Sequence, residues 1–132
     1  MIDRALTLNQ TPIRTVMVPL SRVIKVKTNT KREVSLEKIR ATNHTRYPVI
    51  NEERKVIGCI NGIDLYINPI STIQDLTQPI QRFNTEVPMR QALTKMRTAN
   101  AHIAIVTRSG HDVGLITRKD LLSPLIATTH DW

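Results

Sequence analysis

Two stretches of the chain place a polar residue three positions before an aspartate, where an apolar run gives way to a helical pattern. Thr117 and Asp120 stand in GLITRKDLL, and Asn61 and Asp64 stand in GCINGIDLY. A carboxylate accepts several hydrogen bonds, and a hydroxyl at a helix start can bind a polar or anionic group. The alternative interpretation is a helix cap, with Thr117 as the N-cap residue and an acidic residue three positions later. The two interpretations are compatible.

The phrase that runs from glycine to aspartate occurs twice, from Gly58 to Asp64 and again from Gly114 to Asp120. A gap-free shift that matches the two glycines therefore also matches the two aspartates. The same shift places Val49-Ile50 on Ile105-Val106 and Ile24 on Ile80. Self-similarity at a fixed spacing indicates an internal repeat. We therefore predict two copies of one structural unit.

Each copy has the pattern strand, helix, strand, strand, helix. In the first copy we predict a strand centred on Val23 and Ile24, a helix over about 32–42 capped by Thr30, strands over 47–50 and 56–61, and a helix over 62–67. In the second copy we predict the strand PIQRF, followed by the helix VPMRQALTKMRTAN. The strands HIAIVT and VGLIT come next, joined by a turn with Gly110 at positive φ. The last element is the helix RKDLLSPL, which should end near Pro124.

A unit of about fifty residues is too small to bury both faces of its own sheet. We therefore predict an α+β fold in which two pseudo-twofold-related β-α-β-β-α motifs pack sheet to sheet into one module. The predicted bounds are residues 14–67 for the first motif, 68–78 for the connection and 79–126 for the second motif.

Composition and charge exclude several classes of protein. No stretch approaches 18 consecutive apolar residues, and the N-terminal MIDRALTLNQ lacks the apolar region of a secretory signal. The single cysteine, Cys59, is consistent with a reducing, cytoplasmic setting. The net charge is +8, with eleven Lys/Arg against four Asp/Glu between residues 14 and 55. This basic half indicates either an anionic partner or a solvated surface.

Catalytic and metal-binding patterns are missing from the sequence. His44, His102, His111 and His130 have no metal-ligand spacing, and one cysteine does not build a zinc site. No nucleophile-base arrangement and no P-loop is visible. Aromatic residues make up only 3% of the chain, so base-stacking platforms are scarce. We predict neither an enzyme nor a nucleic-acid-binding protein.

The chain resembles a tandem CBS-domain pair, also called a Bateman module, on its two glycine-to-aspartate phrases. It is similar in particular to the pair found in CorC/HlyC-like, hemolysin-like and cyclin-M magnesium and cobalt transport proteins. The segments RTVMVPLSRVIKV, HTRYPVI and AHIAIV carry this similarity in the family's order. One departure is Arg118-Lys119, since family members often have acidic residues between this threonine and aspartate.

The resemblance implies a regulatory site for AMP, ADP or ATP, with or without Mg²⁺. The second-copy site is the favoured one, and Asn61 with Asp64 marks a possible second site. In the favoured site, Thr117 and Asp120 would bind ribose or phosphate, the Ile103-Ala104 strand edge would sandwich adenine, and Gly114 would let the backbone approach the ligand. The site would be completed by Val18, Arg46, Tyr47, Pro48 and His102.

Three of these residues have ordinary alternatives. Arg46 either pairs with phosphates or is a surface cation, and Tyr47 either stacks on a base or is a half-buried aromatic at a strand start. His102, placed by the repeat at the position of Arg46, either meets a phosphate when protonated or is a hydrogen-bonded structural histidine.

Two functional hypotheses follow from the resemblance. The first is a nucleotide sensor that forms the soluble cytoplasmic part of a membrane transport protein, whose membrane domain is not in this chain. The second is a ligand-free module that serves dimerisation, and the resemblance implies a homodimer in either case. The sequence leaves open which nucleotide binds, how many sites are used, how the dimer is oriented and which ion is transported.

Overall fold

Each half of the protein is built around an antiparallel strand pair that leads into a helix. The computed structural model describes residues 10–42 and 44–127. Of these, residues 24–80 form one compact unit, here called the first-copy unit. Residues 10–23 and 81–127 form the other, the second-copy unit. The N-terminal decapeptide, except Gln10, and His130 lie outside the described residues.

The first-copy unit has a three-stranded sheet in the order β2-β3-β4. Its elements are β2 (Val26–Lys27), α1 (Arg32–Arg40), β3 (Arg46–Ile50), β4 (Val56–Asn61), α2 (Gly62–Ile67) and α3 (Ile73–Leu76). Strand β3 is parallel to β2 and antiparallel to β4. Pro48 is tolerated in this inner strand because β2 pairs only with Val49 and Ile50, beyond the proline.

The second-copy unit has a four-stranded sheet in the order β1-β7-β6-β5. Its elements are β1 (Val18–Pro19), β5 (Gln81–Asn84), α4 (Met89–Thr98), β6 (Ile103–Arg108), β7 (His111–Thr117) and α5 (Arg118–Ala127), with short 3-10 turns at Ile13–Thr15 and Leu20–Arg22. Strand β6 is parallel to β5 and antiparallel to β7, and β1 adds an antiparallel edge to β7.

Each unit has its own aliphatic core. The first-copy core consists of Val26, Ile39, Tyr47, Val49, Ile60, Leu65 and Ile73. The second-copy core consists of Ile13, Phe83, Met89, Ala92, Leu93, Met96, Ala104, Val106, Ile116 and Leu121. The α4 residues recur at intervals of three and four, which puts them on one face of that helix. The predicted α+β class and this helical stripe are confirmed.

The predicted first strand is misplaced. Val23 and Ile24 are not in a strand, and the strand is Val26–Lys27 instead. Val26 is fully buried and pairs with Val49, whereas Ile24 is exposed. Apolar residue type alone did not show which valine meets the neighbouring strand, because strand formation depends on the partner.

Helix ends differ from the predictions in two places. Helix α1 begins after Lys31, which gives no side-chain cap, so Thr30 is not the cap. Helix α5 continues through Pro124 to Ala127. A proline in a helix removes one backbone hydrogen bond and favours a kink, but it does not always end the helix. By contrast, the predicted turn at Gly110 is confirmed by its φ of 80°.

Two segments outside the hairpins belong to the packed structure. Ile13 is fully buried in the second-copy core, and Val18 pairs with Leu115, so residues 10–23 pack on the second copy although they precede the first. The predicted connection 68–78 contains helix α3, and Gln78 exchanges two backbone hydrogen bonds with Cys59. The compact units therefore do not follow the repeat bounds.

The repeated glycines admit a neighbouring backbone. A Cβ atom on Gly58 would lie 2.3 Å from the Gln78 carbonyl oxygen. A Cβ atom on Gly114 would lie 2.6 Å from Sδ of Met17 and 3.0 Å from the Val18 carbonyl oxygen. These contacts lie inside each unit. Gly114 was predicted to let a ligand approach the strand, but in the structure the Met17 side chain and the Val18 backbone lie there. Both glycines are required for packing.

Helix length is relevant to the predicted absence of membrane spans. Within the described ranges, none of the helices combines the length and the apolar character needed to cross a bilayer.

The glycine contacts predict a graded loss of stability. Gly58→Ala should lower the free energy of unfolding by about 3 kcal/mol, because its Cβ atom meets a backbone oxygen that is held in a hydrogen-bonded bridge. Gly114→Ala should cost about 1 kcal/mol less, because its nearest contact is the sulfur of the flexible Met17 side chain and the backbone oxygen lies farther away. Urea unfolding measures both; an equal or smaller loss at Gly58 would contradict the assignment.

Candidate functional site

The start of helix α5 has a one-sided cap. The backbone N–H of Asp120 donates to Oγ1 of Thr117 at 2.9 Å, so the capping interpretation of Thr117 holds. Helix α3 shows the full reciprocal box, in which Asp75 N donates to Thr72 Oγ1 and Thr72 N donates to the Asp75 carboxylate. At Thr117 the second half of the box is missing. The Asp120 carboxylate accepts no hydrogen bond from any described residue.

This arrangement leaves two polar groups available at one helix start. The Thr117 oxygen accepts from Asp120 N, so the hydroxyl hydrogen is available to an outside acceptor. The Asp120 carboxylate can accept from outside donors, and the side chain is partly exposed. Backbone N–H groups in the first turn of a helix favour an anion. The site can therefore bind a ligand that has hydroxyl donors and negative charge.

The strands around Thr117 bring the other predicted second-copy residues close to it. Thr117 lies opposite Ile103, and the Arg118 N–H donates to the His102 carbonyl at 2.9 Å. Val18 lies on the adjacent strand β1, opposite Leu115. The structure thus gathers the predicted residues Val18, His102, Ile103, Ala104, Thr117 and Asp120 in one unit.

Ala104 was predicted to lie on a free strand edge, but in the structure it does not. Strand β6 lies between β5 and β7, and Ala104 pairs with Gln81 on one side and Ile116 on the other. Its side chain is fully buried in the second-copy core. Ile103 precedes the residues that pair with β5 and is the more accessible of the two. At 7% exposure, however, Ile103 is also largely enclosed.

The first-copy phrase has a different cap. Oδ1 of Asn61 accepts from the Ile63 N–H at 3.0 Å, one residue earlier than the bond made by Thr117. Helix α2 has only six residues, and Asp64 lies in its first turn. Asn61 lies opposite Arg46 in the sheet. Arg46, Tyr47, Pro48, Asn61 and Asp64 all belong to the first-copy unit.

Arg46 lies at the partly exposed start of β3, while Pro48 is buried opposite Cys59. Burial raises the pKa of the Cys59 thiol, and the positive charge of Arg46 partly opposes that rise. Arg46 is therefore close enough to Cys59 to act on it electrostatically.

The side chain of Tyr47 belongs to the core. It is 1% exposed, and its hydroxyl lies 2.6 Å from Oγ1 of Thr42 and donates to the His44 carbonyl at 2.9 Å. Stacking on a base would require the ring to leave this position and break those hydrogen bonds. The stacking prediction is therefore wrong, and the ordinary alternative of a packed aromatic applies.

The gap-free alignment of the copies fails in the first strand of each hairpin. Val49 pairs with Gly58 and Val106 pairs with Gly114, so Val106 is the structural counterpart of Val49, whereas the gap-free shift matched Val49 with Ile105. The cause is one extra residue between the paired positions of the first hairpin, where residues 50–57 correspond to residues 107–113 of the second. His102 therefore corresponds to Thr45 and not to Arg46.

Metal-binding residues do not cluster in the described part of the chain, where no three His, Cys, Asp or Glu side chains lie close enough to hold an ion.

Comparisons with known proteins agree with this architecture. The model of the CBS domain matches residues 13–66 and 70–127. Among curated proteins, UPF0053 protein YrkA of Bacillus subtilis is 28% identical over 127 residues, covering 88% of this chain and 29% of that protein. Magnesium and cobalt efflux protein CorC of Pasteurella multocida is 27% identical over 138 residues, covering 99% of this chain and 46% of that protein. This chain thus spans less than half of either relative.

A solved structure shows the same fold. It is the CBS domain of a bacterial CNNM/CorC family Mg²⁺ transporter in complex with ATP, with a TM-score of 0.84 and 24% identity, covering 92% of this chain and 91% of that one. Together with the two family matches along the chain, this confirms the resemblance seen in the sequence. The chain belongs to the CBS-domain family, as a tandem pair with sequence similarity to CorC and YrkA.

Proposed function

We propose that this chain is a regulatory CBS pair that binds an adenosine nucleotide. One observation carries the proposal: the Asp120 carboxylate is left unused by the cap at the start of α5. A carboxylate that only capped the helix would bond the Thr117 N–H, as Asp75 does with Thr72. An unused carboxylate next to a helix start suits a ligand with paired hydroxyl groups and phosphate.

The chemistry assigns a task to each group. The Asp120 carboxylate accepts hydrogen bonds from the two ribose hydroxyls, and the Thr117 hydroxyl donates to ribose or phosphate. The backbone at Ile103 and the nearby Val18 and His102 border the site. Arg46 remains a predicted phosphate partner, Tyr47 and Pro48 remain residues predicted to complete the site, and Asn61 with Asp64 remains a possible second site.

Relatives support the nucleotide as ligand. The similar structure named above holds ATP, and its fold is shared over most of this chain. Because that protein is described as an Mg²⁺ transporter and CorC as a magnesium and cobalt efflux protein, we propose that this pair is the cytoplasmic sensor of such a transport protein. The membrane domain of that protein would be its partner, and its role would be regulatory rather than catalytic.

Regulation then has a defined upper limit. Nucleotide binding can shift the arrangement of a sensor only by the difference between its affinities for the two arrangements. A tenfold difference is worth about 1.4 kcal/mol, which is within the usual range of allosteric coupling.

Asp120→Asn should abolish or strongly weaken nucleotide binding without loss of stability. We expect the dissociation constant to rise at least about tenfold, because the charged acceptor is lost. Isothermal titration calorimetry with AMP, ADP and ATP, each with and without Mg²⁺, measures the effect. The matched control is Asp75→Asn, which should lower stability through its cap but leave affinity unchanged.

The proposal fails if the unchanged protein binds none of the three nucleotides at millimolar concentration. It also fails if Asp75→Asn weakens binding as much as Asp120→Asn does, since the effect would then be general loss of structure.

A ligand-free dimerisation module is the second candidate, and an exposed apolar surface on α2 favours it. Ile63, Tyr66 and Ile67 lie one helical turn apart and are 56%, 43% and 66% exposed, and Ile70 just beyond the helix is 96% exposed. Contiguous exposed apolar surface often marks an interaction site. Residues 56–81, which include this apolar strip, contain no Lys or Arg, so a second copy of this chain with its net charge of +8 meets little charge repulsion there.

Ile67→Glu should shift the protein from dimer to monomer, because it puts a charge into the apolar strip. Analytical ultracentrifugation over a concentration series measures the dissociation constant, which should rise at least about tenfold. The control is Ser123→Glu, at the corresponding exposed position of α5, which should leave it unchanged. A monomeric parent protein, or equal effects of both variants, would rule out this interface.

A further inference from the structure

Two backbone carbonyls at equivalent positions of the two copies accept hydrogen bonds from different side chains. In the first copy, the Tyr47 hydroxyl donates to the His44 carbonyl at 2.9 Å. In the second copy, the strand pairing makes Ala101 the counterpart of His44. Arg118 donates to the Ala101 carbonyl from Nε at 3.0 Å and from Nη2 at 2.7 Å. A neutral phenol and a guanidinium thus perform the same structural task.

The exchange also reverses side-chain size at two positions. Tyr47 lies against Gly62, where a Cβ atom would be 3.2 Å from Cε2 of the ring, so the first-copy helix must begin with a small residue. The corresponding second-copy residues are Ala104, at the position of Tyr47, and Arg118, at the position of Gly62. The first copy thus has a large residue in the strand and a small one at the helix start, and the second copy has a small residue in the strand and a large one at the helix start. The neutral hydroxyl of Tyr47 shows that a hydrogen bond to this carbonyl does not require a charged donor.

Arg118 places a cation where a helix disfavours one. It is the first residue of α5, and positive charge near a helix N-terminus is electrostatically unfavourable. Lys119 follows it, and Asp120 is the only acidic residue in that turn. The first turn of α2, in contrast, contains no basic residue. This excess of positive charge next to Thr117 favours an anion at the second-copy helix start.

The guanidinium keeps N–H donors for a second partner. Its hydrogen bonds to described residues run from Nε and Nη2 to one carbonyl oxygen, which uses two of its five N–H donors. The Nη1–Nη2 end is the edge that binds carboxylate or phosphate oxygens in pairs. Because the side chain is held by two hydrogen bonds and is partly buried, little conformational entropy is lost on binding.

We propose that Arg118 is a phosphate-binding, specificity-determining residue of the second-copy site, and that the first-copy helix start, which has glycine at this position, does not select for phosphate. The inference rests on the proposed nucleotide function and deepens it. Asp120 and Thr117 recognise the sugar, and Arg118 makes the site prefer nucleotides to adenosine.

Calorimetry with adenosine, AMP, ADP and ATP on the unchanged protein and on Arg118→Gln tests this inference. Glutamine can still donate to the Ala101 carbonyl but has no charge. We expect the affinity for the three nucleotides to fall about tenfold to a hundredfold, because charge-assisted hydrogen bonds are lost. The affinity for adenosine should stay within about twofold, since a nucleoside has no phosphate. The dependence of nucleotide affinity on salt concentration should also become weaker.

Two further variants separate a direct contact from general effects. Lys119→Gln removes an equal charge from the same turn, and it should change nucleotide affinity much less than Arg118→Gln, because no hydrogen bond to a described residue holds the exposed Lys119 side chain in place. Arg118→Lys keeps the charge without the paired donors and should give an intermediate affinity. If Arg118→Gln is unfolded by circular dichroism, Arg118→Lys carries the test.

The outcomes distinguish this inference from the proposed function. Equal losses for adenosine and nucleotides in the Arg118 variants, or equal effects of Lys119→Gln and Arg118→Gln, would overturn the role of Arg118 while nucleotide binding stands. Unchanged nucleotide affinity in Arg118→Gln would do the same. An unchanged protein that binds no adenosine compound would overturn both proposals.

Discussion

The close approach of a second backbone to each hairpin is the constraint on which the structure depends. Gly58 and Gly114 have no side chain at the point where the Gln78 and Val18 backbones lie against strands β4 and β7. A larger residue at either position would collide with these segments, beside the bridge at Cys59 or the edge strand β1. The hairpin glycine therefore determines how each unit is closed, and the helix that follows it starts from a fixed place.

A fixed helix start holds the polar groups at that point in defined positions. In the second-copy unit, the sheet positions Thr117 opposite Ile103, and Thr117 caps α5 by accepting from Asp120 N. The cap uses the Thr117 hydroxyl oxygen and leaves the Asp120 carboxylate without a hydrogen bond to a described residue.

The two copies solve one packing problem with different chemistry. In the first copy, Tyr47 donates to the carbonyl and a glycine stands at the helix start. In the second copy, Arg118 donates to the equivalent carbonyl and an alanine stands in the strand. The first solution is neutral and buried, and the second is cationic and partly exposed. The two copies thus share their geometry, while only the second has a cation at the start of its helix.

The sequence by itself determined the repeat, the α+β class, most strands and helices, and the Thr117 and Asp120 pair. These depend on local patterns such as apolar periodicity, turn residues and capping spacing. Only the tertiary structure showed that Tyr47 is internal, that Ala104 lies on an inner strand and that strand β2 begins at Val26. It also showed that the gap-free alignment of the copies breaks down before the hairpin turn and that Arg118 binds the Ala101 carbonyl. Burial, register and side-chain pairing depend on residues distant in the chain, and a sequence pattern does not contain those distances.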